Sequence, residues 1–320
     1  MSGLIPVPVW LESAEHDEAR PDLEYAVGST LDSRLRDLGI PPDCGNDLRA
    51  LTLRLAAWIK VQMGHGALVI GVNGAQGSGK STLAELLTMT LSHGYGLRPA
   101  RLSIDDFYMT RDERSELARS VHPLLVTRGV PGTHDVGLAL STIHGLLGAD
   151  PGQTTLIPSF DKASDDRRPR SGWTRFQGPA DVVILEGWCI GARPQDEAAL
   201  GSPINVLESE EDPDGSWRRY VNAQLIGAYA PLFQLPDRLI MLKVPGMACV
   251  LRWRGMQERK LAANLGADAA RLVMGRRALR RFVMHYERLT RAMLADLPGR
   301  ADLTLVLDTR HHFTHIQGLH

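Results

Sequence analysis

The chain has 320 residues, of which 43% are hydrophobic, and carries 36 basic against 37 acidic side chains. That length and apolar content allow a large core in one large domain or two small ones, while the balanced charge excludes a global field that would collect nucleic acid or an anionic membrane. The three cysteines, Cys44, Cys189 and Cys249, lie far apart, are odd in number and form no C-x-x-C, which argues against a disulfide framework or a zinc site and fits a reducing, cytoplasmic setting.

The first twenty residues lack a basic stretch followed by an apolar one, and no apolar run approaches the ~20 residues that span a bilayer, so the reading is a soluble intracellular protein. A helix is predicted over 46–63, where Leu48, Leu51, Leu55, Trp58 and Ile59 recur at helical spacing, with Asn46 as N-cap and Gly64 as stop. Strand character follows at 67–73, 100–105, 181–187, 238–244 and 302–308, with helical patterns between. Four of these runs are nearly continuous in apolar residues, as expected of parallel strands covered on both faces. The alternation predicts an α/β fold with right-handed crossovers. Residues 1–66 are read as an N-terminal helical extension and 67–320 as the main domain. The acidic run ESEEDPDG at 208–215 reads as a short loop ahead of a helix near Trp217, and Trp217, Tyr220, Val221 and Leu225 as core contacts of that helix.

The decisive motif is GAQGSGKS, comprising Gly74, Ala75, Gln76, Gly77, Ser78, Gly79, Lys80 and Ser81, with Thr82 opening the helical run behind it. It fits G-x-x-x-x-G-K-[ST] without departure, follows an apolar run and precedes a helical one. The glycines let backbone N–H groups wrap a triphosphate, Lys80 supplies charge to the β- and γ-phosphates, and the Ser81 hydroxyl ligates Mg²⁺. No Asn is followed by Lys, so the Asn-Lys-x-Asp loop of guanine-specific switches is missing and ATP is the expected nucleotide.

Acids close the later strands. Glu186 ends an apolar strand at the sheet edge where ligands bind, in position to hold Mg²⁺ directly or through water; the plainer alternative is a turn cap before Trp188. Asp105 stands in the same relation to its strand. Because neighbouring side chains on a strand face opposite ways, Asp105 and Asp106 cannot both aim at one point unless the strand has already broken.

The combination of GAQGSGKS, LSIDDFY and ILEGW resembles the small-molecule kinase superfamily that includes uridine kinase, phosphoribulokinase and pantothenate kinase. The resemblance implies a P-loop NTPase-type parallel sheet sandwiched by helices, with an Arg-bearing lid, and implies that the first acid of the D-x-F-Y motif, Asp105, is the catalytic base beside Lys80. RGVPGTHD (128–135), IPSFDKASDDR (157–167), LEGWCIG (185–191), EEDPDGSWRRYVN (210–222), LRWRGMQERKL (251–261), FVMHYERLT (282–290) and DLTLVLDTRH (302–311) look closer to D-glycerate 3-kinase of the plant and fungal type. The likeness spans roughly 48–312. Two departures fall in the presumed acceptor region: Phe160 stands where related kinases often have Tyr, and the compact ASDDRRP replaces a longer glycine-bearing stretch.

A small hydroxy acid needs fixed cations for its carboxylate. Candidates for substrate binding are Arg128, His134, Asp161, Lys162, Arg167 and Arg193, each weighed against a solvated surface role. His134 equally fits a helix start, with Thr133 or Asp135 as cap. The arginine-rich stretch 252–281 corresponds to the mobile lid of related kinases, and Arg252 and Arg254 are expected nearest the nucleotide. Arg276 to Arg281 read as a solvated helix face, since Leu279, Phe282, Val283 and Tyr286 mark the buried side. The expectation is an ATP- and Mg²⁺-dependent kinase of a small hydroxy acid, D-glycerate giving 3-phosphoglycerate. The alternatives are a kinase for pantothenate or another hydroxy acid, and an ATP-binding regulatory protein without transfer activity. No nucleic-acid or membrane partner is implied, and oligomeric state is not indicated.

Overall fold

The computed structural model describes residues 4–12, 20–64, 66–264 and 274–318. Along the chain run β1 (Ile5–Pro6), α1 (Val7–Glu12), α2 (Arg20–Asp37), α3 (Pro42–Gln62), β2 (Leu68–Gly74), α4 (Lys80–Tyr95), β3 (Pro99–Ser103), α5 (Arg111–Ser120) and α6 (Val136–Gly148). Two small hairpin sheets follow, formed by β4 (Thr154–Ile157), β5 (Phe160–Asp161), β6 (Asp166–Arg167) and β7 (Thr174–Gln177), with β4 paired to β7 and β5 to β6. The chain then continues through β8 (Val182–Gly187), α7 (Glu197–Leu200), α8 (Val206–Glu211), α9 (Ser216–Ile226), α10 (Tyr229–Gln234), β9 (Arg238–Lys243), α11 (Met247–Asn264), α12 (Arg276–Asp296), β10 (Leu303–Leu307) and β11 (Phe313–Gly318).

Seven strands form one sheet in the order β1-β11-β10-β9-β2-β8-β3. The five strands expected from the apolar runs are its parallel part, and every residue of β2 and β8 is buried, as two-sided coverage requires. Alternate residues feed two cores. Ile70, Val72, Val182 and Ile184 pack with α2, α3, α4 and α11, whereas Val69, Val183, Leu185 and Met241 pack with α6, α9, α10 and α12. The helices before residue 67 thus share a core with the phosphate-loop strand and helix.

Three local expectations are corrected. The helix predicted from 46 begins at Pro42, a residue suited to the first turn because its missing N–H is an orphan there; Asn46 is interior and caps nothing. Gly64, at φ 53°, does follow the C-cap Met63 in the left-handed conformation of a helix stop. The acidic segment 208–215 is not simply a solvated loop, because its first half is α8 and two of its acids are fully buried. Glu208 takes the Arg288 guanidinium at 2.6 Å and 2.8 Å, and Asp212 takes Arg218 at 2.9 Å while capping the backbone N–H groups of Trp217 and Arg218. Arg288 comes from far along the chain and Arg218 from the next helix. Beyond these, β11 and the hairpins carry mixed polar sequences and β1 is only two residues long, so no apolar run announced them.

Removing one partner of the Asp212–Arg218 pair leaves a buried charge. Asp212→Ala is expected to cost about 3–5 kcal/mol in denaturant unfolding. Arg281→Ala, which breaks a half-exposed pair with Glu211, should cost under ~1 kcal/mol by the same measurement.

Candidate active site

The site is built at the carboxyl ends of three adjacent parallel strands. Val72 on β2 and Ser103 on β3 both stand opposite Glu186 on β8, so the phosphate loop after β2, the turn after β3 and the Glu186 carboxylate meet at one edge. The loop runs from Gly74 into α4, with Gly77 and Gly79 at φ 79° and 92° and Gly79 as the N-cap. A Cβ on Gly77 would lie 2.7 Å from Trp253 Cβ, so the loop can lie against α11 only without one.

Ser81 Oγ donates to Glu186 Oε1 at 2.7 Å, and Lys80 Nζ lies 3.8 Å from Glu186 Oε2. Glu186 is buried, and its Oε2 has no hydrogen-bond partner. A buried, unsatisfied carboxylate oxygen beside a hydroxyl and a phosphate loop is a donor set suited to Mg²⁺. Residues 104–107 form a 3-10 turn in which the Asp105 N–H donates to Ser103 Oγ at 3.3 Å. The strand has therefore ended, and the two acids part. Asp105 lines the cleft, accepting from Lys162 Nζ at 2.7 Å and Tyr108 Oη at 2.6 Å. Asp106 instead accepts the Phe160 N–H at 3.2 Å and anchors β5.

Burial works against the charge on Asp105, but Lys162 and Lys80, with hydrogen bonds from Lys162 and Tyr108, outweigh it and hold the carboxyl well below the usual range. Asp106 is pushed up to about 6, chiefly by burial and then by the charges of Asp105 and Glu186, against the opposing Phe160 N–H and Lys162.

The segment 128–135 reaches the cleft through Arg128. Gly129, at φ 126°, sits where a Cβ would meet Tyr286 Oη at 2.1 Å. Trp188 Nε1 donates to Gly129 O and Tyr286 Oη to Arg128 O, both at 2.8 Å, so the segment is pinned to β8 and α12. Of the predicted site residues, the structure brings Gln76, Gly77, Lys80, Ser81, Asp105, Arg128, Lys162, Glu186 and Arg254 together in one cleft. Arg128 also pairs with Asp165 and lies over the Phe160 ring.

Gly74, Ala75, Ser78, Gly79 and Thr82 belong to the same phosphate loop and the start of α4, and the other predicted residues stand elsewhere. His134 is buried behind Tyr108, stacked on its ring at 4.7 Å and bonded through Nδ1 to Tyr229 Oη at 2.6 Å; burial lowers its pKa to about 4 and keeps it neutral despite the nearby Asp105 charge. Asp135, not Thr133, caps α6 by accepting the Leu138 N–H. Arg167 is committed to Tyr108 O and the Asp135 carboxylate, Asp161 accepts the Ala163 N–H, and Arg193 is exposed outside the cleft lining. Arg252 and Arg254, two apart on α11, diverge: Arg254 pairs with Glu258 at 2.6 Å at the cleft, while Arg252 reaches the Thr309 carbonyl. Arg271 of the arginine-rich stretch lies outside the described residues. Tyr108, which the sequence places beside Phe107 on the acceptor side, also lines the cleft, together with Ser103, Trp188, Gln257, Phe282 and Tyr286, which were not among the candidate site residues; the aromatic ones share their pattern with core positions, so spacing alone does not single them out.

No protein-family model matches the chain. It is 35% identical over 205 residues to an uncharacterized kinase, mug58, of Schizosaccharomyces pombe, covering 62% of this chain and 72% of that protein. It is 32% identical over 195 residues to the chloroplastic D-glycerate 3-kinase of Arabidopsis thaliana, covering 58% of this chain but only 40% of that one. The solved D-glycerate 3-kinase of Cryptococcus neoformans is 26% identical and superposes with a TM-score of 0.70 over 84% of this chain and 99% of its own. The chain belongs to the P-loop kinase superfamily, among homologues that include D-glycerate 3-kinase. It is a kinase with a nucleotide-binding phosphate loop, and membership implies use of ATP.

Asp106 binds its proton more tightly when folded than when unfolded, so its ionisation costs stability: the contribution is full below the unfolded carboxylate pKa near 4 and is lost as pH rises through about 6. Asp106→Asn, which keeps the acceptor for Phe160, should gain stability over the parent between pH 4 and pH 7 in thermal melts and show no gain below about pH 4.

Proposed function

We propose that the protein transfers the γ-phosphoryl group of ATP to a hydroxyl of a small carboxylate, with D-glycerate giving 3-phosphoglycerate as the reading that the relatives favour. The observation that carries it is the presence of a carboxylate, Asp105, in the same cleft as the phosphate loop, with Lys162 on that carboxylate and Arg128 nearby. An acid without a neighbouring cation would suit a neutral acceptor equally well. Two cations facing the acceptor side favour an anionic one.

In this reading the loop N–H groups and Lys80 bind the triphosphate, and Ser81 and Glu186 would hold Mg²⁺, which neutralises phosphate charge when bound. The acceptor carboxylate competes for Lys162 and Arg128. Drawing Lys162 away removes the strongest cation from Asp105 and raises the proton affinity of Oδ2, while Oδ1 keeps its hydrogen bond from Tyr108. The acceptor oxygen then bonds to the γ-phosphorus, the bond to the ADP oxygen breaks, and the hydroxyl proton passes to Asp105. Arg254, at the cleft mouth on α11, adds positive charge where it develops during transfer. The free thiols of Cys44, Cys189 and Cys249 fit a reducing compartment such as the cytoplasm, and among the described residues no helix is long and apolar enough to cross a membrane.

A second reading, in which the acceptor is pantothenate or another small hydroxy acid, rests on the Gly-Pro turn at 129–132, which is similar to one in pantothenate kinase. Coupled detection of ADP with a panel of hydroxy acids separates the two, and ATP binding without turnover on any of them would instead indicate a regulatory protein. With the active acceptor, Asp105→Asn should lower kcat about 10²–10⁴-fold with ATP affinity nearly unchanged. Lys162→Met should raise the acceptor KM about 10–100-fold. Normal turnover in Asp105→Asn would remove the base assignment.

A further inference from the structure

The turn between β10 and β11 folds against the first turn of α3, and there Asp43, Cys44 and His312 bring one carboxylate, one thiol and one imidazole within 4.8 Å of one another. The two ring nitrogens of His312 are divided between partners. Nε2 lies 3.8 Å from Asp43 Oδ2, and Nδ1 lies 3.6 Å from Asp308 Oδ2. Asp308 is itself fixed, since its Oδ1 accepts the N–H groups of Arg310 at 2.7 Å and His312 at 2.9 Å. The His312 separations are too long for hydrogen bonds. The Nε2–Asp43 separation falls at the upper end of the roughly 3.3–3.8 Å between ligand atoms around a tetrahedral ion with Zn–N and Zn–O bonds near 2.0–2.2 Å and Zn–S near 2.3 Å.

Asp308 thus stands on the Nδ1 side of His312 and Asp43 on its Nε2 side, and a carboxylate that closes on one ring nitrogen orients a metal-bound histidine through the other. Thiolate with imidazole selects a borderline transition ion over Mg²⁺ or Ca²⁺.

We propose that Asp43, Cys44 and His312, with Asp308 orienting the histidine, form a site for a zinc-like divalent ion that ties the start of α3 to the turn beside the phosphate loop. Its ligands come from opposite ends of the chain, so no C-x-x-C spacing announces it. The neighbouring residue carries the consequence: His311, at φ 72°, bonds through Nε2 to the Gly77 carbonyl at 2.8 Å and stacks on Trp253 at 3.7 Å. An ion on His312 therefore steadies the turn whose next residue touches the nucleotide loop.

The test is a titration of the full chain with Co²⁺, without nucleotide. One equivalent should bind with a thiolate-to-cobalt charge-transfer band and tetrahedral visible bands, all displaced by Zn²⁺. Cys189 and Cys249 are buried, so the thiolate band reports Cys44. Cys44→Ser and His312→Ala should abolish the band, together with any rise in melting temperature that Zn²⁺ produces in the parent. Asp308→Asn, which keeps the acceptor for the turn, should weaken Co²⁺ binding about 10–100-fold. No thiolate band in the parent protein, or a band unchanged in Cys44→Ser or His312→Ala, overturns the proposal. The parent measurement decides even where a variant fails to fold.

Discussion

Everything at the cleft depends on the register of β8 between β2 and β3. Pairing Glu186 with both Val72 and Ser103 makes the three strands end level, so the phosphate loop leaves β2 where the Glu186 carboxylate leaves β8. A slip of one residue would turn Glu186 to the other face and put an apolar side chain against Ser81. The same slip would move Val183 and Leu185 into the wrong core, so packing on both faces of the sheet holds the cleft edge in place. Stability and site geometry are here one constraint.

The second ingredient is a controlled break. Had β3 continued for three more residues, Asp105 and Asp106 would point to opposite faces of the sheet, one of them into a closed core. The 3-10 turn sends one acid to the cleft and the other to the β5 backbone, and the electrostatics follow: the cleft acid meets lysines and stays charged, the anchoring acid meets burial and two like charges and holds its proton longer. Neighbouring residues of one type thus acquire opposite properties from a single change in backbone direction.

The parallel sheet and the phosphate loop were legible in the sequence because both are local. A strand buried on both faces is a run of apolar residues, and a loop that wraps phosphates is a run of glycines. Asp105 and Glu186 were legible for the same reason, as acids closing such runs. The acceptor side was less so, because a cation's role depends on which acid or carbonyl reaches it. Arg167 and Arg128 looked equivalent in sequence, yet one is consumed by Tyr108 O and Asp135 while the other lines the cleft. The buried Glu208 and Asp212 were misread for the converse reason, since Arg288 lies far along the chain and Arg218 on the next helix.

That sorting of arginines explains why a lysine carries so much of the acceptor argument. Arg114, Arg167, Arg218 and Arg288 each make several hydrogen bonds to carbonyls and carboxylates, so releasing any of them would strand buried acceptors. Lys162 is different: its side chain is 62% exposed, it sits on the β5–β6 hairpin, and its tie to Asp105 is one contact at 2.7 Å. A partly solvated single pair contributes little net energy and exchanges partners readily. A guanidinium committed in that way would be a strut. In the proposed reaction, an exposed lysine on Asp105 leaves it when a second anion arrives, and that exchange would couple the charge of the acceptor to the basicity of Asp105.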